Sequence, residues 1–203
     1  MPNNIHLPKP HFSWSQLNMW ETSPKQYEKR YIFGEQIPIN NAMRFGKTVS
    51  EALETEQTDD PVMQALIDLA PKFNKAEHEI RVVHKMINGN VELFGIVDSF
   101  NTKTKHFREY KTGKNGWTQA MVDKFGQITF YNYMLYLQHG KIPEKCYLDW
   151  FETEHDYGQV KLTGRIETFE TSRNMLQILE MGARISKAVK NISKLYAEHL
   201  PQL

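Results

Sequence analysis

Two β-rich runs that meet at Asn88-Gly89 constrain this chain more tightly than any other stretch. Ile80 to Ile87 is rich in β-branched and apolar residues, and Val91 to Phe100 returns after the Asn-Gly pair. Asn-Gly accepts the positive-φ geometry of a tight hairpin turn, whose twist matches that of the flanking strands. Thr102-Lys103-Thr104-Lys105 turns the chain again into a third strand, His106 to Lys111. A three-stranded meander of this kind exposes an apolar face that other elements must cover.

The rest of the chain supplies helices to do so. Ser13-Trp14-Ser15-Gln16 has the form of a capping box, and Ser23-Pro24-Lys25-Gln26 repeats it with proline at the first helical position. Tyr27 and Tyr31 line the second of these short helices, which Gly34 ends. A third helix is expected over 41–54, with Gly46 inside it at a cost of about 1 kcal/mol relative to alanine, a cost that close packing would explain. A further helix is expected near 62–73. After the meander, 122–139 reads as one amphipathic helix closed by Gly140. Strands over 145–152 and 158–167 and a long helix over 172–199 follow. The order predicts an α/β or α+β sandwich without internal repeats. At 203 residues the chain fits one domain, 1–203, in which 11–40 forms an N-terminal helical extension.

Charge excludes some functions and localises others. The formal net charge is +1, so a nucleic-acid ligand needs a local patch. Lys103, Lys105, Arg108, Lys111, Lys114 and Lys124 face only Glu109 and Asp123 in the densest basic run; Arg184, Lys187, Lys190 and Lys194 form a second. Either run could equally be a solvated face. Cys146 is the one cysteine, which rules out an intrachain disulfide and a cysteine-held iron–sulfur cluster. The N-terminal stretch has no basic region followed by an apolar run, and no 18-residue apolar stretch occurs. No membrane association and a cytoplasmic location are therefore expected.

Asp98 and Glu109-Tyr110-Lys111 carry the chemistry. If the second turn centres on Lys103-Thr104, opposed residues sum to 207 and Asp98 lies across from Glu109. Cross-strand Cβ atoms are then about 5 Å apart, within reach of one hard cation such as Mg²⁺ or Mn²⁺. Lys111 is two residues further on and points to the same face, and the Tyr110 carbonyl could add an oxygen ligand. A cation held there would polarise a phosphate and activate a water. Lys111 could serve as a base, which requires a pKa well below its usual value of about 10.4, or as a fixed charge. A solvent-exposed, ion-paired hairpin is the plainer alternative for the isolated pattern.

The chain as a whole resembles the PD-(D/E)XK nuclease superfamily, in its RecB/Cas4-like branch, through five ordered pieces. Ser13-Trp14-Ser15-Gln16-Leu17 through Tyr31 is similar to the branch's N-terminal helical signature, and Phe45-Gly46-Lys47-Thr48-Val49-Ser50-Glu51-Ala52-Leu53-Glu54 to its first core helix. Gly95-Ile96-Val97-Asp98 is similar to the first acidic motif, Glu109-Tyr110-Lys111-Thr112-Gly113 to the second, and Gln127 with Tyr131 to the final helical motif. The resemblance implies an α/β restriction-endonuclease-like core, a central mixed sheet flanked by helices. It also implies divalent-metal-dependent, exonuclease-like hydrolysis of DNA in processing, repair or recombination, with recombination or replication proteins as partners and a phage gene as one source. Asp98, Glu109 and Lys111 would be catalytic. Gln127 and Tyr131, one helical turn apart, would bind phosphate or brace Lys111, although Tyr131 also reads as a core aromatic. Lys114, Trp117 and Lys124 are candidate substrate contacts, with Trp117 able to stack on an unpaired base.

Two departures from the branch stand out. Ser50 occupies the place of a metal-binding histidine, so Glu54, one turn beyond, is the first candidate for the missing ligand and Glu51 the second. Ser23 stands where iron–sulfur members carry a cysteine. Ser50 keeps a second function open: a nucleic-acid-binding accessory protein with a nuclease fold and weak catalysis.

Overall fold

The structure, a computed structural model, describes residues 5–36, 38–156 and 159–200. It is a mixed α/β fold. Strand β1 (Phe12–Ser13) leads into α1 (Trp14–Thr22), α2 (Pro24–Tyr27) and a π-helical turn over Glu28–Ile32. Helices α3 (Asn41–Thr55) and α4 (Pro61–Leu69) precede the hairpin β2 (His78–Met86) and β3 (Gly89–Val97). After β4 (Ser99–Phe100) and β5 (Phe107–Gly113) come α5 (Gln119–Asp123) and α6 (Gly126–His139). The chain closes with β6 (Cys146–Asp156), β7 (Gln159–Thr171) and α7 (Met175–His199).

The meander expected from sequence divides at Asp98. One sheet has the order β1-β3-β2, the other β4-β5-β6-β7. Strand β5 runs antiparallel to β4 but parallel to β6, so the second sheet is mixed. Helices α3 and α4 pack on one face of this second sheet, around Phe151 and Tyr110. The larger core, with Phe107, Leu148 and Trp150 from the sheet and Ile128, Met134, Ile178 and Ile185 from α6 and α7, lies on the other side. Alternation along β5 assigns the faces: Phe107 and Glu109 are buried together, while Tyr110 points the opposite way.

Several local expectations needed correcting. The loop between β2 and β3 is Ile87-Asn88, with Met86 opposite Gly89, and Gly89 takes the positive φ of 145°. Ser13 and Ser23 occupy N-cap positions but make no side-chain cap. Buried Gln16 instead donates to the His11 carbonyl (2.9 Å) and accepts from the Tyr27 hydroxyl (3.3 Å). The true capping box is Asn174 with Gln177, at the start of α7. Helix α4 ends at Leu69, short of the expected Phe73.

The helix expected over 122–139 is broken between α5 and α6, and the break has two physical supports. Arg173, almost fully buried, donates to the Val122 and Phe125 carbonyls (2.9 and 3.2 Å), which at the break hold long backbone bonds, from Phe125 N–H at 3.1 Å and from Thr129 N–H at 3.4 Å. Gly126 starts α6 where the ring of Trp14 occupies the space of any Cβ. Gly46 has an equally direct reason, since a Cβ there would lie 3.0 Å from the Thr112 hydroxyl of β5. Among the described residues, no helix is long and apolar enough to cross a membrane.

Buried His84 ties three elements together. Its Nδ1 meets the Tyr133 hydroxyl at 2.6 Å and its Nε2 meets Ser186 Oγ at 2.8 Å, linking β2 to α6 and α7. Burial lowers the His84 pKa from its usual 6.5. The unfolded chain therefore binds the proton more tightly, so His84's contribution to stability is full above about pH 6.5 and is lost as pH falls through the folded value. Urea unfolding at about pH 7.5 and about pH 5 should show a smaller drop in stability for His84→Gln than for wild type, with the other histidines contributing equally to both. Equal drops would refute the assignment. Tyr133→Phe should cost about 1–2 kcal/mol at neutral pH by leaving Nδ1 without its partner.

Candidate active site

Asp98 sits at the crossing from one sheet to the other, and two registers meet there. Ser99 pairs with Arg108 and Phe100 with Phe107, so the opposed numbers sum to 207 as expected. The next step of that register sets Asp98 across from Glu109. The backbone ladder gives way to a side-chain bond at this step: the Tyr110 N–H donates to Asp98 Oδ2 at 2.6 Å.

Glu109 is 3 % exposed. Its Oε1 accepts from Lys111 Nζ at 2.5 Å and from Gln127 Nε2 at 2.6 Å. Its Oε2 is buried without a hydrogen-bond partner among the described residues. Gln127 Nε2 also lies 2.9 Å from the Tyr131 hydroxyl, so one face of the first turns of α6 grips the carboxylate. Tyr131 is itself a buried core aromatic, edge-on to Phe107 with centroids 5.9 Å apart. The missing Cβ of Gly95 admits it, because a Cβ there would lie 2.7 Å from its ring.

The site sets two carboxyl groups against one lysine, and burial disfavours the charged form of both carboxyls. Burial, then the charge of Glu109, pushes the Asp98 carboxyl up to about 8; Lys111 and the Tyr110 N–H partly offset this. Burial also raises Glu109, against the pull of Lys111 and Gln127. For Lys111, burial opposes the charge, but Glu109 and Asp98 outweigh it and raise the pKa. Lys111 is therefore an ammonium here, suited to a fixed charge rather than to proton abstraction. Raised carboxyl pKa values mean that Asp98 and Glu109 together lack enough positive charge to hold both ionised; a divalent cation on the unpartnered Glu109 Oε2 and on Asp98 would supply it and draw Asp98 into its ionised form. The donors are hard oxygens and fit Mg²⁺ or Mn²⁺. Among the described residues, no three His, Cys, Asp or Glu side chains already converge as a complete metal site.

The remaining candidates are distributed unevenly. Glu54 is exposed on α3, yet its charge reaches Glu77, whose pKa is raised by burial, then by Glu54, then by Asp98. Glu51 is exposed and paired with Lys47 at 3.4 Å. Tyr110 has its ring against Phe151 and donates its hydroxyl to the Pro71 carbonyl at 2.7 Å. Trp117 packs edge-on against Phe125, at 4.9 Å, beside Lys124 in an open cleft of about 670 Å³. Lys114 is exposed.

Glu77 was not apparent from the sequence, and the turn correction explains why. A hairpin loop centred on Asn88-Gly89 would oppose Glu79 to Asp98. With the loop one residue earlier, His78 pairs with Val97 and the next step sets Glu77 against Asp98. Glu79 is left on the surface, 2.7 Å from Arg81. The basic run also disperses. Arg108 is held by buried Asp149, with Nη1 at 2.8 Å from both carboxylate oxygens, and Lys111 is held by Glu109. Tertiary partners thus remove two of the six cations from any nucleic-acid surface.

No family model matches this sequence, and no curated protein matches it. Solved structures do share the fold. A phage-related exonuclease from Haemophilus somnus aligns with a TM-score of 0.57 and 16 % identity, over 88 % of this chain and 82 % of that one. The alkaline exonuclease LHK-Exo from Laribacter hongkongensis aligns with a TM-score of 0.50 and 15 % identity, over 95 % and 92 % of the two chains. At such identities the likeness concerns the fold.

Gly95→Ala should destabilise the protein by about 1–3 kcal/mol, read by urea unfolding, because the new methyl displaces a tyrosine ring in a filled core. A second substitution, Tyr131→Leu, in the same chain should recover part of the loss; additive losses would show that the clash is not with Tyr131.

Proposed function

We propose that this protein is a divalent-metal-dependent deoxyribonuclease of the PD-(D/E)XK superfamily, RecB/Cas4-like in its sequence motifs and exonuclease-like in action. One observation carries the reading: Asp98 and Glu109 are opposed in register, Lys111 is bonded to Glu109, and Glu109 Oε2 is buried without a partner. A structural ion pair would use both oxygens of a buried carboxylate, since an unmet one costs about 1–3 kcal/mol. The fold shared with two exonucleases supports the same reading.

In this reading Asp98 and Glu109 hold the cation, with the Tyr110 carbonyl and a carboxylate from Glu54 or Glu77 as further oxygen donors. When bound, the cation supplies a Lewis acid for the phosphate and lowers the pKa of a water. Lys111 stabilises negative charge that develops on the phosphate oxygens. Gln127 orients the Glu109 carboxylate, and Tyr131 holds the Gln127 amide in turn, so both act as positioning residues. Trp117, Lys124 and Lys114 contact the DNA strand outside the reacting phosphate. The biological setting is DNA processing, repair or recombination. Ser50, exposed on α3 with no histidine in its place, favours a second reading: a DNA-binding accessory protein that cuts poorly.

Digestion of end-labelled linear and closed circular DNA tests this directly. Cleavage should require Mg²⁺ or Mn²⁺, stop with EDTA, and favour the linear substrate. Asp98→Asn, Glu109→Gln and Lys111→Met should each lower the rate by about 10²-fold or more, whereas Gln127→Ala should lower it less. Cleavage that survives Asp98→Asn would overturn the assignment. Binding without cutting under every metal would favour the accessory protein.

A further inference from the structure

One sizeable cavity lies away from Asp98 and Glu109. It is a groove of about 1060 Å³ between the β2–β3 hairpin and α7, at the upper end of the size of small-ligand sites. Lys187, Lys190 and Lys194 recur along one face of α7, and Lys85 of β2 approaches the same space. No acidic residue lines the groove, and none of these four lysines has an ion-pair partner among the described residues. On a chain whose net charge is only +1, this is a concentrated positive site. The fourth member of the sequence run, Arg184, is not part of it, since Glu21 of α1 binds its guanidinium at 2.5 and 3.0 Å.

The floor has the opposite character. Met86 and Ile5 line it, the lining is more apolar than polar, and Ile87 at the hairpin tip is 93 % exposed. Ile87 shares the groove with Met86 and Ile5, so it belongs to an apolar patch and is not a lone exposed side chain. The walls are fixed: Ser186, which lines the groove, is tied to His84 and through it to Tyr133. A site that is already rigid loses little freedom on binding.

We propose that this groove docks an extended acidic segment of a partner protein, with aliphatic side chains seated on the floor and carboxylates on the lysines. Charge complementarity selects the acidic partner. The floor selects peptide over nucleic acid, for two reasons. Among the lining residues only His6 carries a ring, which gives a run of unpaired bases no continuous stacking platform. A phosphate track, in turn, gains nothing from an apolar surface. The proposal does not depend on the nuclease reading, because neither the groove nor its test involves the candidate active site.

Fluorescence anisotropy with the full chain tests it, using a fluorescein-labelled peptide of alternating Asp and Leu, a matched Asp-Ser peptide and labelled oligothymidylate. The Asp-Leu peptide should bind at least about tenfold more tightly than the Asp-Ser peptide. Binding should weaken by about tenfold or more in Lys187→Glu/Lys190→Glu and also in Ile87→Ser. These side chains are exposed, so unchanged thermal melts should accompany the losses. Three results would overturn the proposal: no binding of the Asp-Leu peptide, equal binding of the Asp-Ser peptide, or oligothymidylate binding that is lost in the lysine variant and unaffected by Ile87→Ser.

Discussion

A carboxylate buried in the middle strand of a sheet is costly unless it is met by charge and hydrogen bonds, and Glu109 is such a group. Its requirements organise the neighbouring elements. Lys111, two residues along β5, supplies the ammonium, and Gln127 supplies an amide from α6. For Gln127 to arrive there, α6 must start at Gly126, so the chain breaks its helix after α5, and Arg173 adds hydrogen bonds to the carbonyls at the break. Gly95 leaves room for Tyr131, which fixes Gln127 in turn. Features distant in sequence are thus answers to one buried charge.

The satisfaction is incomplete on one side. Oε1 of Glu109 takes both hydrogen bonds while Oε2 has none among the described residues, and the raised pKa of Asp98 shows that its charge too lacks a sufficient counter-charge. Folding stability alone gives no reason for that asymmetry. A hard cation gives one, which links the energetics of the strand crossing to the chemistry proposed for it. Arg108 and Asp149 on the same sheet are the contrasting case: both Asp149 oxygens are engaged, by Arg108 and by Thr168, as befits a structural pair.

Charge on the surface follows a different logic. A basic run in sequence becomes a basic surface only where the fold leaves its members unpaired. Lys111 and Arg108 are consumed by buried acids, and Arg184 by Glu21. Lys187, Lys190 and Lys194 have no ion-pair partner among the described residues, and Lys85 joins them from a strand about a hundred residues earlier. The concentrated positive surface therefore lies by α7, away from the candidate active site.

Much of the architecture was legible because it rests on local physics. The β2–β3 hairpin, α3, α6 with its Gly140 terminus and α7 follow from turn chemistry and periodicity over neighbouring residues. The 207 register follows from the second turn, so the opposition of Asp98 and Glu109 is legible in the order of residues alone. What the sequence could not decide were quantities set by remote partners. The hairpin loop sits one residue early, which exchanges Glu79 for Glu77 beside Asp98; local propensity at Asn-Gly does not distinguish the two loops, whereas the packing of β2 on its neighbours does. Likewise, the break before α6 depends on Trp14 and Arg173, and the meander divides into two sheets at Asp98 because β5 pairs in parallel with β6. Short-range geometry determined which residues could meet; burial and long-range pairing decided which of them were left with charge and hydrogen-bonding capacity to spare.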